Sequence, residues 1–238
     1  MANKGGDTRL KRQMAPRFWN IHRKHSQFVP KIKPGRHSSM NAYPLGVILR
    51  DVLKVSNTMH EAQKIVAGKK IKVDGNICTE INTAIGLMDV IEFVPSGKAF
   101  RFVPKNSQVL APIDIPEEEK SLKVIKVRSK VMSRGKKLQY GFHDGKTIVT
   151  DEQLSIGDSC LVKLPDLKII KNIKFDKGCY ALVTRGENAG IIGRIYDIRD
   201  GVFSLPKRTI LSSADRSVEL PMEIVMTVGS EGPIIRVN

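Results

Sequence analysis

Residues 43–76 read YPLGVILRDVLKVSNTMHEAQKIVAGKKIKVDGN, and this stretch decides the fold class because its apolar period changes within it from helical to extended. Leu45, Ile48, Leu49, Val52 and Leu53 recur at helical spacing behind Pro44, a residue that a first helical turn tolerates, which predicts an amphipathic helix over 44–54. Thr58-Met59-His60-Glu61 fits a capping box, in which the Thr58 hydroxyl accepts from the backbone three residues on and Glu61 reaches back. Ala62, Ile65 and Val66 supply the apolar face of this second helix, and Gly68 ends it. Ile71-Lys72-Val73 then alternates as a strand, Asp74-Gly75-Asn76 is a turn, and 89–94 reads as another strand. The expected unit is two helices against a small sheet.

Upstream, the charge is concentrated. Residues 1–40 hold Lys4, Arg9, Lys11, Arg12, Arg17, Arg23, Lys24, Lys31, Lys33 and Arg36 against Asp7 alone, +9 of the whole chain's +16. Pro16, Pro30 and Pro34 interrupt any helical pattern, so the segment reads as an extended arm without a core of its own. Phe18, Trp19 and Phe28 are unusual in a disordered tail; they suit stacking on bases or anchoring in a groove, in an arm that orders on RNA. Removal of residues 1–40 is therefore expected to weaken RNA binding without unfolding the rest.

Downstream, strand-like runs at 122–127, 137–143, 147–149, 160–164 and 168–175, with an Asp144-Gly145 turn, predict a meandering β domain. Glu117-Glu118-Glu119, beside Pro112 and Pro116, reads as a solvated linker or helix start. From 175 to 195 a strand runs into a loop punctuated by Gly186, Gly190 and Gly193 and out into another strand. Glycine lets the backbone approach a partner closely, and Lys177, Arg185 and Arg194 flank the loop, which suits a phosphate backbone.

Composition excludes several classes. A net charge of +16 and a pI near 9.9 call for a polyanion, usually nucleic acid. Apolar runs of only a few residues, such as 47–49, fall far short of a membrane helix, and the first residues lack the apolar core of a signal peptide, so a cytoplasmic protein is expected. Cys78, Cys160 and Cys179 are too scattered for a zinc ribbon or a disulfide framework and read as small hydrophobes. Three of the five histidines sit among cations, which opposes metal binding; no metal, cofactor or small-molecule substrate is expected. The segment from Gly141 through Gly145-Lys146-Thr147 has one residue too few for a phosphate loop and continues as a strand, so a hairpin turn is expected. The spacing of Gly186, Gly190 and Gly193 is not a dinucleotide fingerprint, and neither His143-Asp144 nor Ser159-Cys160 lies in a nucleophile elbow.

The two-helix unit with Thr58-x-x-Glu61-Ala62 and Ile71-x-Val73-Asp-Gly75, closed by Gly86-Leu-Met-Asp-Val-Ile91, resembles the S-four type (alpha-L) RNA-binding domain, and residues 177–195 resemble a KOW motif. Their order, joined by a β domain and preceded by Leu10-Lys-Arg-x-x-Ala15-Pro16-x-x-Trp19 and Pro34-Gly-x-His37, resembles the small-subunit ribosomal family S-four-e over nearly the whole chain, in its archaeal form. The resemblance implies an α+β multidomain protein: a basic N-terminal arm (1–42), an alpha-L RNA-binding domain (43–104), a central β domain (105–174) and a C-terminal SH3-like β barrel with the KOW motif (175–238). It implies a non-enzymatic constituent of the small ribosomal subunit that binds its rRNA, supports assembly and translation, and touches neighbouring ribosomal proteins. The alternatives are an RNA-modifying enzyme subunit with an appended alpha-L domain, for which the short basic remainder is a poor catalytic domain, and a transcription or RNA-chaperone factor, which the arm does not suit.

On this basis the candidate RNA contacts in the arm are Arg9, Lys11, Arg12, Arg17, Trp19, Arg23, Lys24, Lys31, Lys33, Arg36 and His37. Arg50 and Lys54 share one helix face, as do His60 and Lys64, followed by Lys69, Lys70 and Lys72. The glycine loop adds Lys177, Arg185, Asn188 and Arg194. A second basic run, Lys123, Lys126, Arg128, Lys130, Arg134, Lys136 and Lys137, either lines the same RNA or keeps a hairpin edge unpaired. Binding to small-subunit rRNA is expected to weaken steeply in a salt titration, with a log-log slope of about −0.7 to −0.9 per neutralised phosphate; a flat titration contradicts the electrostatic reading.

Overall fold

In the computed structural model, which describes residues 9–22, 24, 26–105, 108–133, 135, 137–213 and 216–237, the Thr58 box forms as expected. Thr58 Oγ1 accepts from the Glu61 N–H at 3.2 Å, and Glu61 Oε2 accepts from the N–H groups of Thr58 and Asn57. The Met59–Ala67 helix that follows buries Ala62 and Val66, Gly68 closes it, and Lys69 turns left-handed (φ 56°) to launch the Ile71–Val73 strand.

The first helix departs from expectation. In place of a regular helix over 44–54, a three-residue α-turn (Leu45–Val47) runs into a π-turn (Ile48–Val52), Leu53 N–H donates to Ile48 O, and left-handed Lys54 (φ 53°) breaks the run. Leu45, Val47, Ile48 and Leu49 are all fully buried, a span of the helix circumference wider than the apolar stripe of a surface helix.

The protein is mostly β, with few helices. Among the described residues, three five-stranded antiparallel sheets carry it. The first runs in the order Asn76–Ile77, Ile71–Val73, Val90–Phe93, Ala99–Lys105, Gln108–Asp114, with residue 104 inside the fourth of these strands. The second runs Thr147–Thr150, Leu138–Phe142, Leu122–Met132, Ser159–Lys163, Lys168–Ile173, with the expected hairpin at Asp144-Gly145. The third runs Ser217–Pro221, Arg208–Ser212, Ile192–Arg199, Tyr180–Val183, Val225–Gly229. Between them lies a shared core: Val103 and Ile113 from the first sheet, Val124 and Leu161 from the second, and Leu182, Met226 and Val228 from the third.

The arm is part of this framework. It has no core of its own, but Trp19, Ile21, Val29 and Ile32 are buried in the core of the first helical unit, and Leu10–Lys11 pairs with Phe28–Val29. Trp19 Nε1 donates to Ala42 O at 2.8 Å, and Tyr43 Oη donates to Phe18 O at 2.7 Å. Deleting residues 1–40 therefore strips apolar groups from the core, at about 3–5 kcal/mol for a fully buried tryptophan alone, so the expectation of an otherwise undisturbed fold does not hold.

Ion pairs lock the units together. Lys123, on the central strand of the second sheet, is fully buried, and its Nζ donates to Asp89 Oδ1 (2.5 Å), Asp74 Oδ2 (2.9 Å) and Asp144 Oδ2 (3.2 Å). Arg36 of the arm and Lys146 also bond Asp74 Oδ2, so three cations face three buried carboxylates. His37 Nε2 lies 3.0 Å from Asp89 Oδ2, at ion-pair distance without hydrogen-bond alignment. Gly145 (φ 78°) admits the arm here, since a Cβ on it would stand 2.5 Å from Arg36 O. Burial alone would drive Lys123 to lose its proton, but the three carboxylates outweigh it and hold the ammonium above its ordinary pKa. Burial likewise opposes the Asp89 and Asp144 charges; His37 and Lys123 hold Asp89 well below the carboxylate range, and Lys123 foremost holds Asp144 down. The acidic triplet is not simply solvated: Glu119 accepts from fully buried Arg101 at 2.6 Å, within the Glu117–Ser121 3-10 helix.

Lys123→Ala leaves three carboxylates without their central cation, and the urea midpoint should fall by the equivalent of about 3–5 kcal/mol; Lys123→Met combined with Asp→Asn at 74, 89 and 144 should recover a substantial part. An unchanged midpoint in Lys123→Ala contradicts this reading. The pH dependence has a definite sign. Asp89 and Asp144, lowered in the fold, stabilise at neutral pH and lose that contribution as pH falls through their folded values. His143 is pushed down to about 4, by burial above all, so it too favours the fold above its unfolded pKa of about 6.5 and loses that as pH falls. Lys123, raised, contributes throughout this range. Urea midpoints should stay level from roughly pH 7 to 7.5, below the point where Lys126 begins to titrate in the fold, and decline from about 6.5 downward, with His143→Asn removing the part between about 6.5 and 4.

Candidate nucleic-acid interface

The sequence-predicted contact residues divide into two groups once burial is known. Trp19 and His37 are buried, and Arg36, a quarter of its side chain exposed, turns its guanidinium to Asp74 in the buried cluster. Arg12 turns inward, its guanidinium donating to Ile21 O. Four more are engaged with acids: Lys33 with Glu80 (2.6 Å), Arg50 with Asp51 (2.9 Å), Lys72 with Glu92 (3.9 Å) and Lys177 with Asp197 (2.6 Å). Asn188 Oδ1 accepts from Arg216, Arg194 lies over the Tyr180 ring, and Arg9 lies over the Phe28 ring. Arg23 lies outside the described residues. Besides Arg9, Lys33, Lys177 and Arg194, which are exposed and engaged, the exposed candidates are Lys11, Arg17, Lys24, Lys31, Lys54, His60, Lys64, Lys69, Lys70 and Arg185.

Several of these converge on one face. Arg12, Arg17 and Lys24 line a hollow of about 810 Å³ formed by the short 3-10 turns of the arm. Arg17 also borders a second hollow with Asn20 and Asp51, and these two residues border a third, of about 420 Å³, lined by His22, Arg50, Lys54 and Ser56. The three concavities thus run from the arm to the π-turn. The π-turn, with left-handed Lys54 at its end, holds Arg50 and Lys54 on the rim. Ser56 Oγ, buried at the third hollow, has no hydrogen-bond partner among the described residues. A row of cations with a spare hydroxyl and spare amide groups matches the oxygens of a sugar–phosphate backbone. Asn20, His22 and Ser56 were not among the sequence candidates, since nothing in their local pattern distinguishes them.

The second basic run is split: Arg128, Lys130 and Lys137 are exposed, whereas Lys123 and Lys126 serve the interior. Lys123 is the buried cation, and Lys126 Nζ donates to three carbonyls, Val225 O (2.6 Å), Met222 O (2.7 Å) and Glu223 O (3.0 Å), tying the second sheet to the third. Burial brings Lys126 down to about 8. It borders a cleft of about 360 Å³ with Arg128, Arg185 and Lys207. Arg134 and Lys136 lie outside the described residues.

The groups weighed for catalysis are held in structural contacts. His143 Nδ1 accepts from the Lys126 N–H at 3.1 Å and its Nε2 lies 3.2 Å from Leu87 O, while Asp144 bonds Lys123. Thr227 Oγ1 donates to Ser159 Oγ, and burial pushes the Cys160 thiol up to about 12, away from the reactive thiolate. Lys123 Nζ occupies the place among three carboxylates that a cation would take.

Comparison with known proteins gives matches at both the family and the full-length level. Residues 4–40 match the RS4NT (NUC023) domain and residues 96–169 match ribosomal family S4e. The chain is 37% identical over 237 residues to the small ribosomal subunit protein eS4 of Pyrobaculum islandicum, covering 96% of this chain and 98% of that one. It is 35% identical over 239 residues to the eS4 protein of Korarchaeum cryptofilum, covering 100% of both. The crystal structure of the 30S ribosomal protein S4e from Thermoplasma acidophilum superposes with a TM-score of 0.69 at 34% identity, covering 80% of this chain and 96% of that one.

Proposed function

The chain belongs to ribosomal family S4e, and on that premise we propose that it binds small-subunit rRNA along the face running from the arm to the π-turn. It is a structural constituent of the small ribosomal subunit, in a family that is generally not enzymatic. The observation that carries the proposed RNA face is the continuity of the three hollows across two separate parts of the chain, with Arg17, Lys24 and Lys54 exposed along them. A phosphate backbone needs cations at intervals on a rigid support, and here the support is the buried Trp19 and the fully buried Leu45–Val47 turn.

In this reading the 43–104 region acts as the alpha-L module, with His60, Lys64, Lys69 and Lys70 extending the face. The third sheet acts as the SH3-like KOW module, Arg185 meeting a second stretch of backbone. The protein works within the ribosome in the cytoplasm, in contact with rRNA and with neighbouring ribosomal proteins, and supports subunit assembly and translation.

A tagged copy should sediment with small subunits from lysate. Arg17→Glu with Lys54→Glu should lower affinity for small-subunit rRNA by at least about tenfold and flatten the salt slope by about 0.7–0.9 for each lost contact, with the thermal midpoint nearly unchanged because both side chains are exposed. Unaltered affinity in the double variant would place the RNA on another face.

A further inference from the structure

Beyond the Ile192–Arg199 strand the chain does not turn directly into Arg208–Ser212 but extends as a small finger over residues 200–207. The finger is built: Val202 and Leu205 exchange both backbone hydrogen bonds (3.0 and 2.8 Å), leaving Phe203 and Ser204 at the tip. Gly201 permits this, since a Cβ there would stand 2.9 Å from Leu205 O and 3.0 Å from Lys207 N. Yet what the finger presents is apolar. Phe203 is fully exposed, Val202 is 71% and Leu205 46% exposed, and Tyr196, on the strand that leads into the finger, is 74% exposed. Exposed apolar side chains grouped on an ordered projection mark an interaction site.

The charge around the finger says which kind of partner fits. Residues 196–221 hold Arg199, Lys207, Arg208 and Arg216 against Asp197, Asp200, Asp215 and Glu219, so this region is neutral and the whole +16 lies elsewhere. Its cations are also engaged: Lys207 with Asp200 (3.1 Å), Arg199 and Arg208 with Glu219 (3.3 and 3.2 Å), and Arg216 with Asn188 (3.0 Å). Affinity for RNA rests on cations that displace counterions from phosphates, and on the finger and its flanking strands the described cations are each held by an acid or an amide. Protein interfaces, by contrast, centre on an aromatic anchor inside a polar rim of both signs.

We infer that the 200–207 finger is a protein-docking element, inserting Phe203, flanked by Val202 and Leu205, into an apolar groove on a neighbouring protein of the small subunit. This rests on the ribosomal reading above and assigns the finger to protein within it. The partner surface is apolar at its centre and carries both signs of charge at its rim, to meet Asp200, Lys207, Arg199 and Glu219.

The test places the photoreactive residue p-benzoylphenylalanine at position 203 of the full-length tagged chain in cells, then irradiates isolated small subunits. The expected result is a protein–protein adduct that survives ribonuclease. An adduct that ribonuclease collapses assigns the finger to RNA and overturns the inference, as does the absence of any adduct from subunits that contain the chain. Absence of the tagged chain from small subunits overturns the ribosomal reading and the inference together, and so separates the two failures. Phe203→Asp, at a fully exposed position that leaves the core intact, should lower recovery of the adduct's protein partner with tagged subunits on the order of tenfold, and Phe203→Leu should restore most of it. Equal recovery with Phe203→Asp overturns the inference.

Discussion

A lysine ammonium buried among three aspartates holds this protein in one arrangement. A charge taken out of water is costly unless its partners stand in the right places, and the partners of Lys123 come from distant parts of the chain: Asp74 and Asp89 from the first unit, Asp144 from the hairpin of its own sheet. Arg36 and His37 bring the arm to the same point. An apolar core tolerates small sliding of its layers, whereas an unpaired buried carboxylate does not. The cluster therefore fixes the angle at which the arm, the first sheet and the second sheet meet. Lys126 and Arg101 do the same for the third sheet and the C-terminal segment, Lys126 donating to three carbonyls of the third-sheet region and Arg101 to the Glu119 carboxylate and to carbonyls that include Arg236 O.

This division of cations explains how one very basic chain both folds and presents a charged surface. Lys123, Lys126, Arg101 and Arg36 spend their charge internally, on carboxylates and carbonyls. Arg17, Lys24 and Lys54 stand outside, carried by turns whose geometry the interior sets. The exposed face proposed for RNA thus depends on the buried cluster without including it. The neutral finger at 200–207 is the complementary case, a surface from which net charge has been removed and apolar groups projected.

Local structure was legible in the sequence where its cause is local. The Thr58–Glu61 box, the Ile71–Val73 strand and the Asp144-Gly145 hairpin each follow from residues within a few positions of one another, and each formed. What could not be read was burial produced by distant partners. Lys123 belongs by local pattern to a basic run, and what makes it an interior group is a set of distant partners, Asp74, Asp89 and Asp144, 49, 34 and 21 residues away. Trp19, Arg36 and His37 sit in a segment with no apolar period of its own, so the place of Trp19 in another unit's core, and of Arg36 and His37 at the buried carboxylates, had no local signal. The π-turn likewise comes from burial around most of the first helix, which apolar spacing alone does not encode. The cation-rich face was therefore legible as a composition and not as a set of contacts.

The most direct test of the whole account is a cryo-electron microscopy map of the small ribosomal subunit containing this chain. The account predicts rRNA phosphates within about 4 Å of Arg17 and Lys54, the distance of an ion pair, with Lys123 enclosed by Asp74, Asp89 and Asp144 and out of reach of RNA. A map in which the face from the arm to the π-turn is turned to solvent, or in which RNA reaches the Lys123 cluster, would contradict it.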